Sequence, residues 1–383
     1  MRILIAPDSF KECLSADAVA AAIERGIRRV WPDSGCDHLP MADGGEGTVS
    51  AILHARRGKR KFAQVSGPLG GQVKAGYGWL ADKRTAIIEM ASASGLMLIA
   101  QDKRNPLRTS SRGTGELIIN AIDNGAKEII IGLGGSATVD GGAGMAQSLG
   151  VRFLDVNGKL IRQRASGGML DRIAAIDMGG IHTGVRRTKI TIAADVENRL
   201  CGKSGAARVF GPQKGATAAM CRLLDKNLRH FAGVLKKDLN LDVSKIRGGG
   251  AAGGLGAGLI AFANADITSG IALVANLVSF DKRASRADLI ITGEGRIDAQ
   301  TGHGKVVAGI TRMGKKLGVP VIAIGGSLAD DTHTLFDRGL SGLTSAVARD
   351  MTLADACLHA SEYIANAAER TMRMIMIGRK LHD

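Results

Sequence analysis

Aromatic side chains are scarce, at 3% of the 383 residues, with only two Trp and two Tyr. Few rings leave few platforms on which bases could stack, so nucleic acid is not an expected partner. Disulfide and zinc chemistry are also disfavoured. The five cysteines (Cys13, Cys36, Cys201, Cys221, Cys357) are odd in number and show no C-x-x-C spacing, which points to a reducing compartment. No apolar run is long enough to span a bilayer. The opening MRILIAPDSF reads as a strand rather than a signal peptide, because its short apolar run ends at Pro7-Asp8. A cytoplasmic protein with no membrane partner is expected.

Familiar phosphate-binding signatures are missing too. Gly202-Lys203-Ser204 and Gly304-Lys305 have Glu197 and Ala299 where a Walker A motif needs its leading Gly. The protein-kinase motif set is absent, and no solenoid repeat is present. What the chain does have is a net charge of +15, with hydrophobic residues at 45% and charged residues at 23%. That balance predicts a soluble globular protein with a large core, and the length predicts two or three domains. The cations are scattered. The densest run, Arg56, Arg57, Lys59, Arg60 and Lys61, reads as a solvated helix end.

Glycine is abundant, at 53 residues, and it clusters after apolar strands. The stretch over residues 129–145, IIIGLGGSATVDGGAGM, runs from a buried strand into Gly132, Gly134 and Gly135, then Ser136, Thr138 and Asp140. A strand that breaks into such a loop and then enters a helix presents bare N–H groups, which favour anions and phosphate above all.

The chain opens as strand, loop, helix, twice over. Strands at 2–6 and 36–41 end in Pro7-Asp8-Ser9-Phe10-Lys11-Glu12 and Ala42-Asp43-Gly44-Gly45-Glu46-Gly47-Thr48. Near Lys61 the pattern changes to quick antiparallel strands at 62–65, 72–80 and 85–90. A helix is expected from Thr114 or Gly115, a strand at 189–194 ending at Asp195, and a long helix over 216–237. Residues 248–258, GGGAAGGLGAG, read as too glycine-rich for a stable element and lead into a helix by Leu259. A strand at 288–292 opens into a third acidic glycine loop, Gly293-Glu294-Gly295-Arg296-Ile297-Asp298. A helix from Lys305, strands at 321–324 and 344–347, and a long last helix follow. Residues 1–60 and 286–383 thus predict one discontinuous parallel α/β domain, with a second α/β domain over 61–285 inserted into it. The site is expected in the cleft between the domains, where these loops converge.

The strand-end acids are Asp8, Asp43, Glu46, Asp140, Asp195, Glu294 and Asp298, and Lys11, Arg108, Arg112, Lys214, Arg296 and Lys305 could supply cations. Phosphoryl transfer needs such parts: an acid to take the hydroxyl proton, acids to hold Mg²⁺, and positive groups on the moving phosphoryl. Any one of these acids could equally be a cap or a turn residue. His303, between two glycines, is the one histidine that reads as a site candidate. A rival reading is an NAD-dependent dehydrogenase, because Gly132-Leu133-Gly134-Gly135-Ser136-Ala137 fits G-x-G-x-x-A and Asp155 falls where a ribose-binding acid would.

Taken together, the loops at 6–12, 42–48, 111–116 (SRGTGE), 132–138, 210–216 (FGPQKGA) and 292–298 resemble the bacterial glycerate kinase type 1 family, the glycerate 2-kinases, in order over nearly the whole chain. The resemblance implies a Rossmann/flavodoxin-like parallel-sheet domain interrupted by a second α/β domain. It also implies ATP-dependent phosphorylation of D-glycerate, most often at the 2-hydroxyl, to give 2-phosphoglycerate and ADP with Mg²⁺. Within that frame, Asp195 or Asp43 would take the hydroxyl proton. Asp8, Ser9, Lys11, Arg108, Ser136 and Thr138 would hold the glycerate. Gly134, Gly135, Gly293, Gly295 and Arg296 would face phosphate or nucleotide, and Glu294 and Asp298 would hold Mg²⁺. A homodimer is compatible with this reading. Two positions depart from the family pattern: Val139 replaces an Asn, and Arg199 lies in a loop that has lost its Pro.

Overall fold

A computed structural model describes residues 1–11, 13–298 and 306–380; Glu12, His303 and Lys305 lie outside them. The described chain contains thirteen strands: β1 Arg2–Ile5, β2 Gly35–His38, β3 Lys59–Ser66, β4 Gln72–Leu80, β5 Thr85–Glu89, β6 Glu128–Gly132, β7 Arg152–Leu154, β8 Ala175–Asp177, β9 Lys189–Ala193, β10 Asp266–Thr268, β11 Leu289–Ile297, β12 Val321–Leu328 and β13 Gly342–Ser345. The chain divides into two compact units. The first comprises Met1–Asp43, Ser50–Arg56 and Ser269–Asp383, and the second Gly44–Val49 and Arg57–Thr268. The two helices Gly270–Leu277 and Phe280–Ala284, read in the sequence as part of the insert, belong to the first unit. Ile271 of the former packs against Gly309 of the helix Val306–Leu317.

The first unit holds a five-stranded sheet ordered β13-β12-β11-β1-β2, with every neighbouring pair parallel. Counted along this unit's own chain, the order is 2-1-3-4-5, the flavodoxin arrangement, and β1 and β11 meet where it reverses. Strands buried on both faces of a parallel sheet carry apolar runs, as Ile3, Leu4, Ile5, Leu289, Ile290 and Ile291 do here. The helix Ala16–Arg28 covers one face. It is capped by Ser15, whose Oγ accepts from the Ala18 N–H at 3.3 Å. Its Val19, Ile23 and Ile27 share a core with Ile364, Ala367 and Met372 of the last helix, Ala360–Lys380.

β11 corrects the sequence reading. The Gly293-Glu294-Gly295-Arg296 stretch is not a loop but continues the strand as far as Ile297. Its partner β12 extends alongside it, with Gly293 opposite Ile324, Glu294 opposite Gly325 and Arg296 opposite Ser327.

The second unit is built on a six-stranded sheet ordered β10-β9-β6-β5-β4-β3. It is parallel from β10 to β5 and antiparallel at β4 and β3. The glycine-rich segment 248–258 also differs, in that its helix begins before Leu259. A helix runs over Ala251–Ala263, with left-handed backbone at Ala252, Gly253 and Gly254 before it becomes regular. Its glycines allow close backbone approach: a Cβ on Gly258 would lie 2.6 Å from the Gly141 carbonyl oxygen. Among the described residues, no helix is long and apolar enough to cross a membrane.

Candidate active site

The C-terminal end of β1 and the middle of β11 meet at the reversal of strand order, the place where open α/β sheets bind ligands. The Asp8 N–H donates to the Gly293 carbonyl at 2.8 Å, and the Thr292 hydroxyl donates to the Ala6 carbonyl at 2.8 Å. These bonds hold the post-β1 loop against β11. A cavity of about 450 Å³ opens there, lined by Asp8, Ser9, Lys11, Asp43, Glu294 and Arg296. Its other wall is apolar and includes Leu353, Cys357, Tyr363 and Ile364. The sequence reading missed that wall. No local pattern in the last helices links them to the acidic loops, although Tyr363 is one of only two tyrosines.

Asp8 and Glu294 are both buried, at 7% and 6% exposure. The Asp8 carboxylate accepts from the Ser9 N–H at 2.6 Å and the Ser9 hydroxyl at 3.3 Å. Burial pushes its pKa up to about 8, the Asp43 charge adds to the rise, the Ser9 N–H opposes it, Glu294 adds again and Lys11 opposes. With no added counter-charge, Asp8 holds a proton at neutral pH.

Magnesium takes oxygen ligands, commonly one or two carboxylates together with phosphate oxygens and water. The carboxylates of Asp8, Asp43 and Glu294 offer such oxygens, and a cation would relieve the repulsion that Asp8 feels. Among the described residues, no group of three or more His, Cys, Asp or Glu is placed to hold a metal ion. The donor set therefore fits a cation that arrives with phosphate oxygens, rather than a cage made by protein alone. Asp298 does not line the cavity; its carboxylate lies 3.6 Å from Arg296 Nε.

The remaining expected residues lie in the second unit. In the loop after β6, Lys214 is 2% exposed and reaches in from the segment Pro212–Lys214, donating to Ser136 Oγ at 2.6 Å and the Thr138 carbonyl at 2.7 Å. Burial lowers its pKa to about 7, against the pull of Asp140. Thr138 is fully enclosed, and its hydroxyl donates to the Ala252 carbonyl at 3.5 Å. Asp140 is equally enclosed and accepts from the Ser111 N–H at 2.7 Å, the Ser111 hydroxyl at 2.8 Å, the Gly142 N–H at 3.1 Å and the Gly144 N–H at 3.3 Å. These bonds, three at Oδ2 and one at Oδ1, fix the carboxylate and tie the loop to the helix Arg112–Asp123. Gly134 sits against backbone, since a Cβ there would meet Gly45 Cα at 2.5 Å. Asp195 follows β9 in this unit, and Arg108 lines a separate cavity there.

The dinucleotide reading does not survive. β7, which precedes Asp155, lies outside the sheet that holds β6 and pairs with β8. Asp155 Oδ1 accepts from the Asn157 and Lys159 N–H groups, both at 2.9 Å. It is a turn residue, not a ribose ligand on a neighbouring strand.

The sequence profile of the glycerate kinase family matches residues 3–376. The chain is 50% identical over 381 residues to the glycerate kinase of Bacillus subtilis (strain 168), covering 100% of this chain and 98% of that one. It is 48% identical over 380 residues to the glycerate 2-kinase of Escherichia coli (strain K12), covering 99% of each. A crystal structure provisionally named glycerate kinase 2, from Salmonella typhimurium LT2, superposes with a TM-score of 0.85 at 47% identity and 99% coverage of both chains.

Proposed function

The chain belongs to the glycerate kinase family, and on that premise we propose that it transfers the terminal phosphoryl group of ATP to the 2-hydroxyl of D-glycerate, giving 2-phosphoglycerate and ADP. The observation that carries this reading is the convergence of Asp8, Asp43, Glu294 and Lys11 on one cavity at the β1/β11 reversal. Phosphoryl transfer asks little covalent chemistry of a protein and much positioning and charge stabilisation.

In this proposal Asp43 accepts the hydroxyl proton. Asp8, protonated at neutral pH without a counter-charge, would have to lose that proton before it could accept another. Ser9 and Lys11 hold the carboxylate and hydroxyls of glycerate, with Lys11 the cation whose charge is felt at Asp8. Gly295 and Arg296 face the nucleotide. Glu294 holds Mg²⁺, which when bound neutralises charge on the phosphates. Within the second unit, Lys214 fixes Ser136 of the loop that carries Gly134 and Gly135.

The test is an ADP-release assay with a panel of short hydroxy acids, followed by NMR assignment of the phosphorylated carbon. ADP release selective for D-glycerate, with phosphate on carbon 2, is expected. ADP release with none of the acids would overturn the reading, and phosphate on carbon 3 would overturn its regiochemistry.

A further inference from the structure

The second unit contains its own cavity, of about 920 Å³. Five cationic side chains line it, Lys103, Arg104, Arg108, Arg164 and Arg172, against one acid, Asp102. Among the described residues, none of the five has an ion-pair partner. Their hydrogen bonding is thin. Arg164 Nη2 reaches the Arg108 carbonyl only at 3.4 Å, and Arg172 Nη1 reaches Gln163 Oε1 only at 3.5 Å. Arg104 Nε is buried with no acceptor. A buried guanidinium N–H left without an acceptor is costly.

The wall is shaped around this charge. Gly70 lies in a tight turn, with its N–H on the Gly67 carbonyl at 2.9 Å and a φ of +101°. A Cβ there would stand 2.0 Å from Arg164 Nη1, so the bare glycine gives the guanidinium its place. Burial, followed by the charges of Arg112 and Arg108, lowers the Arg164 pKa, yet a guanidinium remains charged throughout the physiological range. Like charges are thus crowded in a cleft of ligand size that offers them one lining acid, Asp102.

We infer that this cavity binds a compact polyanion bearing several phosphoryl groups. A single carboxylate, such as that of glycerate, would answer only part of the charge. Arginine forks match phosphate oxygens two at a time. Either a free, multiply phosphorylated anion or the phosphate tail of a nucleotide other than the one that faces Arg296 has this chemistry. Arg108 accordingly serves this cavity rather than the glycerate carboxylate.

Titration calorimetry on the intact chain without glycerate, using inorganic tripolyphosphate as the probe, tests the inference. Tripolyphosphate should bind, more weakly at higher salt. Arg164→Gln with Arg172→Gln should reduce affinity by about tenfold or more, the scale of two lost charge-assisted contacts. Lys226→Gln, on the exposed face of the helix Ala218–Leu239, should leave it unchanged. Arg172 is exposed, so Arg172→Gln alone supplies the comparison if the double variant does not fold. Displacement of tripolyphosphate by ATP assigns the cavity to a nucleotide tail; retention beside saturating ATP assigns it to a free polyanion. No measurable tripolyphosphate binding, or equal affinity in wild type and the arginine variants, would overturn the inference.

Discussion

Lys214 has burial on all sides and two oxygen acceptors within 2.7 Å. A neutral amine has two N–H groups, which matches those acceptors. Its pKa falls from 10.5 to about 7 on folding. Between those values the unfolded chain binds more protons than the folded one, so this group makes stability rise with pH across that window. Lys214→Met should remove that rise. Urea midpoints measured from pH 7 to 10 should diverge between wild type and variant, with wild type gaining as pH increases; parallel curves would show that the lysine is not the source. Lys214 was legible in the sequence only as one of six candidate cations. Its partner Ser136 is 78 positions away, and no local pattern joins them. Asp140, by contrast, was read as a strand-end acid with several roles open. Only the four donors around it reveal that its work is to tie the loop together.

The glycines of the second unit give opposite expectations for one substitution. Gly253 has a φ of +69°, and a Cβ there would stand 1.8 Å from the Thr138 carbonyl oxygen. Gly253→Ala should therefore cost about 2–4 kcal/mol, through left-handed strain and displacement of the loop before Asp140. Gly233 lies in the helix Ala218–Leu239 with nothing within 4 Å of the same position. Gly233→Ala should stabilise by roughly 0.5–1 kcal/mol. Thermal unfolding of the two variants checks both signs; a stabilised Gly253→Ala would mean that the kinked helix start is not required. At this scale sequence reading succeeded where period and turn signals agreed, as in β4, whose bounds Gln72–Leu80 were read directly. It failed where a distant neighbour decided the outcome. β11 runs on through its glycines because β12 pairs with it to Leu328. Residues 251–263 are helical because they pack against Gly141 and Gly142. The stretch 151–187 carries little local signal because its strands are only three residues long.

Across the whole molecule, each unit has its own core. That of the second unit is drawn from a nearly continuous span, whereas that of the first joins Ile3 and Ile5 to Ile364 and Met372. Ending the chain after Leu358 removes the helix Ala360–Lys380 and should abolish slow hydrogen exchange in β1 and β11 while leaving it in β6 and β9. Exchange measured by mass spectrometry on the truncated chain decides this; slow exchange retained in β1 would show that the helix is dispensable. The discontinuous parallel α/β architecture was legible from the repeated strand–loop–helix order at both ends. The strand order was not, since β1 takes β11 as its neighbour from the far side of the insertion.

That pairing sets a timetable for synthesis. The Arg2 N–H bonds to Asp288, 286 positions later, and ribosomes add about 5–20 residues per second. The opening strand therefore waits on the order of tens of seconds for its central neighbour to be made. During that interval the newborn chain carries one bare apolar edge, which chaperones would be the first to meet.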